Sequence, residues 1–147
     1  MPTPMPMSRT MYPEQFIAPM RAELTSIGFH ELRTAPDVDD AMRKGPGTAL
    51  LVVNSMCGCA ASNARPGVAR ALQHAVRPDA LLTVFAGQDP DATRQARSYL
   101  PGYAPSSPSI ALLKDGQLVY MMERWQIEGR DAGAIAADLA AAFDRYC

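Results

Sequence analysis

The stretch TALLVVNSMCGC, Thr48 to Cys59, joins an uncharged, mostly apolar run to two cysteines one residue apart. A continuous run such as Thr48–Val53 is what a central strand buried on both faces requires. Gly45-Pro46-Gly47 breaks the chain just before it, so the cysteines fall at the strand's C-terminal end. In open sheets covered by helices, that end is where ligands gather. The residues beyond, from about Ala60 to Val76, are rich in alanine and read as a helix that Pro66 bends.

Working outward, Leu81–Ala86 reads as a second buried strand, and Asp89 as the cap of a helix running to about Leu100. Pro101–Pro108, PGYAPSSP, holds too many turn-formers for regular structure. Ser109–Leu113 and Leu118–Met122 are strands joined around Asp115-Gly116, a strong hairpin signal. Asp131 then starts a last helix with Ile135, Leu139, Ala142 and Phe143 on one face. On the N-terminal side, Phe16, Ile17, Met20, Leu24 and Ile27 recur at helical spacing, with Gly28 as the stop and a kink or two short helices expected at Pro19. A short extended segment is expected near His30–Arg33, then a helix over Pro36–Lys44, acidic at its start. After the N-terminal helix the order is β-α-β-α-β-α-β-β-α. It describes a mixed sheet, parallel first and antiparallel at its end, covered by helices.

The chain has 147 residues, 48% of them hydrophobic and 20% charged. This is the size and composition of one globular domain that needs neither disulfide nor metal to hold its core. Its 14 basic and 15 acidic residues leave no electrostatic footprint for nucleic acid or an anionic membrane. MPTPMPMSRT is unlike a signal peptide, and residues 1–11 are expected to form a flexible leader. No stretch reaches the roughly 20 apolar residues of a membrane span. The expected location is therefore the cytoplasm, where small thiols keep cysteines reduced.

Three cysteines there are no disulfide scaffold, and two of them call for a chemical explanation. A thiol reacts as its thiolate, so a reactive cysteine needs its pKa below about 8.5. Cys57 falls in the connection between a buried strand and a helix, where free backbone N–H groups and the helix dipole favour a negative sulfur. Gly58 lets the backbone turn between the two sulfurs and leaves the approach open to a partner disulfide. A Cys57–Cys59 disulfide would be strained in so small a ring and correspondingly easy to reduce. Two buried, inert cysteines are the plain alternative. A metal site is less favoured, because His30, His74 and Cys147 are scattered and zinc wants three or four ligands, although Cys-X-Cys suits a soft ion such as copper(I).

Three segments in order resemble the bacilliredoxin family: VVNSMCGCAASNARPGVARAL, then VFAGQDPDATRQARSYLPGYAPSSPSIALLKDGQLVYMMER, then IEGRDAGAIAADLAAAFDRYC. The resemblance runs from about Tyr12 to Cys147. Its most specific parts are CGC followed by ARP, the FAGQD segment, and APSSPS before the hairpin. It implies a single thioredoxin-like α/β domain over 1–147, a three-layer sandwich of mixed central sheet and flanking helices with an extra N-terminal helix. It implies a thiol–disulfide oxidoreductase that removes bacillithiol, a low-molecular-weight thiol, from mixed disulfides on client proteins. Cys57 would be the nucleophile and Cys59 the resolving thiol. Bacillithiol would act as co-substrate with no tightly bound cofactor or metal, and a recycling thiol or reductase would restore the dithiol. The fold also implies a cis peptide bond at Ser107-Pro108, facing the cysteines and offering backbone groups to a partner segment. Arg65 is a candidate to steady a thiolate or bind a bacillithiol carboxylate. Cys147 stands where a terminal cysteine stands in family members, whereas Trp125 and Arg130 replace histidines associated with the family segment around IEG. General disulfide reduction or isomerisation, or a non-catalytic redox-sensing or metal-carrying module, remain as other readings.

Overall fold

The near-continuous apolar runs become strands that feed two cores at once. A computed structural model describes residues 12–43 and 47–147. Five strands, β1 (His30–Glu31), β2 (Thr48–Asn54), β3 (Ala80–Phe85), β4 (Ser109–Lys114) and β5 (Gln117–Met122), form one sheet in the order β1-β3-β2-β4-β5. β1 and β2 lie parallel to β3, while β4 lies antiparallel to β2 and β5 to β4. In β2, Leu50 and Val52 enter one core while Leu51 and Val53 enter the other. Ile110 and Leu112 of β4 alternate with Ala111 and Leu113 in the same way. Period-two alternation with both faces covered calls for apolar residues on both sides, and a buried polar one such as Thr83 is accommodated by its hydroxyl donating to the Val52 carbonyl at 2.8 Å.

The first core is closed by α1 (Glu14–Thr25), α3 (Arg65–Ala71) and α6 (Ala132–Tyr146) through Leu24, Val68, Ile135, Leu139 and Phe143. The second is closed by α2 (Ala35–Met42) and α4 (Pro90–Arg97) through Val38, Ala92 and Ala96. This gives the three layers expected. α3 and α6 approach closely at Gly67, where an added Cβ would stand 2.6 Å from Ile135 Cγ2. The hairpin turns at Asp115-Gly116 with φ of 52° and 79°, the positive pair that a two-residue connection of right-handed twist demands.

Several elements differ in extent from the sequence reading. α1 is continuous through Pro19 and ends at Thr25, and the chain turns at Gly28 with φ 107°. The helix after the cysteines opens as a π-helical turn, Ala60–Ala64, and becomes α-helical only at Arg65. Pro66 lacks the N–H that would close an ordinary turn onto the Ser62 carbonyl, which suits the wider turn. α3 then ends at Ala71. Gln73 and His74 donate to Arg70 and Ala71 in tight i→i+3 turns, bringing the chain round toward β3. Asp89 occupies the N-cap of α4 without capping it, because its carboxylate is drawn to Arg21 at 2.6 Å. A short helix, α5 (Arg124–Ile127), follows the hairpin and was not expected. The expected leader over residues 1–11, and the expected end of α2 at Lys44, lie outside the described residues. Among the described residues no helix is long and apolar enough to cross a membrane.

Candidate active site

The C-terminal end of β2 is fixed by hydrogen bonds from below. Asn54 is buried, and its amide donates to the Met20 carbonyl at 3.2 Å while its Oδ1 accepts the Ser55 N–H at 2.9 Å. Arg65, only 3% exposed, donates from Nη1 to Asn54 Oδ1 and to the Ser55 carbonyl, both at 2.9 Å. Its Nε stands 3.1 Å from Glu23 Oε1 but outside hydrogen-bonding geometry. Arg65 was a candidate to meet a thiolate or a substrate carboxylate. It lies instead beneath the strand end, where it positions Ser55. The arginine of the ARP segment is therefore explained by the backbone it holds.

Ser55 in turn presents its hydroxyl 3.3 Å from Cys57 Sγ. Cys57 and Cys59 are free thiols, both half-buried, with their sulfurs 2.8 Å apart. That is close contact without the roughly 2.05 Å separation of a disulfide. The Cys57 carbonyl accepts the N–H groups of Ala60 and Ala61 at 3.1 and 3.2 Å, so the cysteines open the helix as expected. Gly58 is helical and outside the left-handed region, so the turn itself needs no glycine. What it leaves is free space, since nothing lies within 4 Å of an added Cβ.

The two thiols are driven apart in acidity. Burial opposes ionisation of Cys57, but hydrogen bonds from Cys59, the Ser55 hydroxyl and the Ala60 N–H, with the nearby Arg124 charge, outweigh it and hold its pKa below the ordinary thiol value. For Cys59, burial and the adjacent Cys57 both push the pKa up. Two titratable neighbours whose acidities are displaced in opposite directions are suited to different roles, Cys57 being the more readily ionised of the pair and Cys59 the less. Alkylation of Cys57 by iodoacetamide should therefore follow pH with a midpoint below the roughly 8.5 of a free cysteine, leaving more thiolate at pH 7. Mass spectrometry would place the early label on Cys57, and a midpoint at or above that value would contradict the assignment.

Arg124 was not anticipated from the sequence. Its Nη1 donates to the Ser107 carbonyl at 3.1 Å, its Nε is ion-paired with Glu128, and its charge reaches both cysteines. The hairpin places it there. Ile110 pairs with Met122, so the residues just past β5 adjoin those just before β4, among them Ser107 and Pro108. A register counted back from Asp115-Gly116 would have found it. The Ser107-Pro108 bond is cis, as expected. Ser107 lines a pocket of about 400 Å3 together with Tyr12, Ser55, Met56, Cys57, Ala86, Gly87, Arg97 and Arg124, while Pro108 is buried behind it. The pocket brings Cys57 and Ser107 together and leaves Arg65 outside. Trp125 is 71% exposed, its indole N–H donating to Glu123. Arg130 turns away to Asp138 at 2.7 Å, so neither residue enters the site.

A sequence model of the family described as "Disulphide isomerase" matches residues 12–147. The chain is 58% identical over 137 residues to a bacilliredoxin of Koribacter versatilis, covering 93% of this chain and 94% of that one. The chain belongs to the bacilliredoxin family. It is 50% identical to a bacilliredoxin of Staphylococcus epidermidis, across 93% of this chain and 94% of the relative. Its fold is that of thioredoxin. A solved structure described as having a thioredoxin fold superposes with a TM-score of 0.60 at 15% identity, over 82% of this chain and 96% of the other. Oxidised thioredoxin O2 from Arabidopsis thaliana gives 0.54 at 15% identity, over 83% and 97%. As a bacilliredoxin-family chain with paired thiols at the end of its central strand, the protein is a thiol–disulfide oxidoreductase.

Proposed function

We propose that this chain removes bacillithiol from mixed disulfides on client proteins, with Cys57 as nucleophile and Cys59 as resolving thiol. The observation that carries the reading is the pair of sulfurs 2.8 Å apart with oppositely displaced acidities. They stand beside a pocket of about 400 Å3, a volume suited to a small ligand. The Cys57 thiolate attacks the bacillithiol sulfur of the mixed disulfide. A new S–S bond forms between them, the bond to the client breaks, and the client leaves as a thiolate that takes up a proton. Cys57 is then no longer an anion, so one of the influences that raised the Cys59 pKa is gone while the Arg124 charge stays. Cys59 loses its proton, attacks Cys57 Sγ and expels bacillithiol as a thiolate, leaving a Cys57–Cys59 disulfide. Two electrons from a dithiol reductase or two small thiols restore the dithiol. Gly58 keeps the approach open, and Ser107, with Pro108 buried behind it, forms the opposite wall against which a client segment would lie. This chemistry fits a reducing compartment such as the cytoplasm.

The family description favours a second reading, general disulfide reduction or isomerisation through the same thiolate. A client carrying a bacillithiol mixed disulfide separates the two. The wild-type chain should release the thiol, whereas Cys59→Ala should accumulate bacillithiol on Cys57, seen as an intact adduct by mass spectrometry. A glutathione mixed disulfide of the same client should react more slowly. Equal rates would remove the case for bacillithiol and leave the broader activity.

A further inference from the structure

The pocket beside Cys57 carries more positive charge than the thiolate alone requires. Its described lining residues include two arginines and no aspartate or glutamate. Arg124 is already matched, by Glu128 and the Ser107 carbonyl. Arg97, the last residue of α4, is not. It is half-buried, and the one side-chain hydrogen bond it makes among the described residues runs from Nη2 to the Ser106 carbonyl at 3.3 Å. No carboxylate among those residues lies within ion-pairing distance, although Arg94, one turn earlier on α4, pairs with Asp91 at 3.1 Å. Burial without an anionic partner pulls the Arg97 pKa below the usual arginine value. A guanidinium keeps its charge at any working pH and presents a planar fork of donors shaped for a carboxylate.

We infer that Arg97 binds a carboxylate of the small thiol whose sulfur Cys57 attacks, so that the pocket selects low-molecular-weight thiols by their negative charge. The inference rests on the proposed removal of a small thiol from client mixed disulfides, and it gives that reaction a source of specificity. A carboxylate engaged by Arg97 holds the small thiol in the pocket. The client is left to lie over the open side, above Gly58, where its thiol departs. The same contact would place the small thiol's sulfur, and not the client's, toward Cys57. An acidic side chain of the client is the competing source of the anion.

One client protein should therefore be loaded separately with mercaptosuccinate, 2-mercaptoethanol and cysteamine, giving mixed disulfides with anionic, neutral and cationic small thiols. The wild-type chain is expected to release mercaptosuccinate about tenfold or more faster than 2-mercaptoethanol, the order of one charged hydrogen-bonded contact, and cysteamine slowest. In Arg97→Gln the anionic-to-neutral ratio should fall toward one, and Arg97→Lys should retain part of it. In the wild type the ratio should also shrink as salt is raised. As a readout independent of turnover, the relative rates of Cys57 alkylation by iodoacetate and iodoacetamide should shift severalfold against iodoacetate in Arg97→Gln. Equal release of all three thiols by the wild type would overturn the inference and leave the proposed function standing. So would release rates that, on a second client differing in the acidic residues around its thiol, follow those residues in place of the small thiol. If none of the three is released, the client loaded with bacillithiol decides the proposed function, and the alkylation ratio decides the role of Arg97 by itself, an unchanged ratio refuting it. Should Arg97→Gln fail to fold, Arg97→Lys and the salt series on the wild type decide between the same outcomes.

Discussion

Cys57→Ser is expected to bring thiol–disulfide turnover down to the uncatalysed background while the protein stays folded. The hydroxyl that replaces the thiol would keep the place beside Ser55 and Cys59, yet it would not ionise or form a disulfide at neutral pH. Cys59 does not substitute for it. Burial, the largest influence on its acidity, still raises its pKa in the variant, and Cys59 is not among the residues lining the pocket. Cys57 is half-buried and contributes little packing, so stability should change by about 0.5 kcal/mol or less. A coupled reductase assay with a thermal melt checks both halves. Substantial residual turnover would move the nucleophile to Cys59, while loss of folding would make the thiol structural.

Arg21→Leu is the substitution expected to cost most in stability. Arg21 is 4% exposed and is surrounded by three carboxylates: Glu14 at 2.6 Å, Glu31 at 2.8 Å and Asp89 at 2.6 Å. Its guanidinium also lies over the Phe85 ring, 5.3 Å from the centroid. Leucine would fill much of the space but leave like charges facing one another with little water to screen them. Removing one member of a buried ionic cluster costs about 3–5 kcal/mol. The lower end applies here because Glu14 is half exposed and partly screened. For a chain of this length about 3 kcal/mol lowers the melting temperature by roughly 6–12 °C. The loss should shrink in acid. The hydrogen bond from Arg21 is the main influence holding the Glu14 pKa below its ordinary value. The stability this contributes is therefore present above the unfolded-state pKa and lost as pH falls through the lowered one. Pairing the variant with Asp89→Asn should recover part of the loss. A melt within 2 °C or so of wild type would show that the cluster is held by something other than this cation.

Much of the scaffold could be read from the chain because both faces of the sheet are covered. Such strands need uninterrupted apolar runs, and Thr48–Val53 and Leu81–Ala86 can be little else. The Asp115-Gly116 turn was equally legible, since few residues accept positive φ twice in succession. The cysteines stood out because a buried strand leading directly into Cys-Gly-Cys has few structural uses. What escaped were long side chains whose partners are remote in sequence. Arg65 reads as a candidate ligand until Asn54 and the Ser55 carbonyl, eleven and ten residues back, are seen to occupy it. Asp89 sits at an N-cap position, yet a cation 68 residues away competes for its carboxylate and wins. Arg124 enters the pocket from just past the hairpin, where only counting the strand register would find it, and Arg97 enters from a helix whose packing no local pattern records. Helix ends were missed for a related reason. The π-helical turn at Ala60–Ala64 follows from a missing N–H at Pro66, which reads only as a bend.

The five residues Phe85–Asp89 tie the beginning of the fold to the reactive sulfur. Ala86 and Gly87 wall the pocket, Gln88 grips the backbone of Tyr12 through both its amide groups, and Phe85 and Asp89 hold Arg21 of α1. Tyr12 is itself part of that wall. A substitution at Tyr12 therefore acts directly on the enclosure around Cys57. α6 offers the better handle for tethering. It starts beside the motif helix, where Asn63 donates to the Arg130 carbonyl, and ends near His74, which meets Asp144. Over its 15 residues, at about 1.5 Å each, it carries the chain end away from the thiols. A support or fluorophore attached beyond Tyr146 would leave the enclosure untouched.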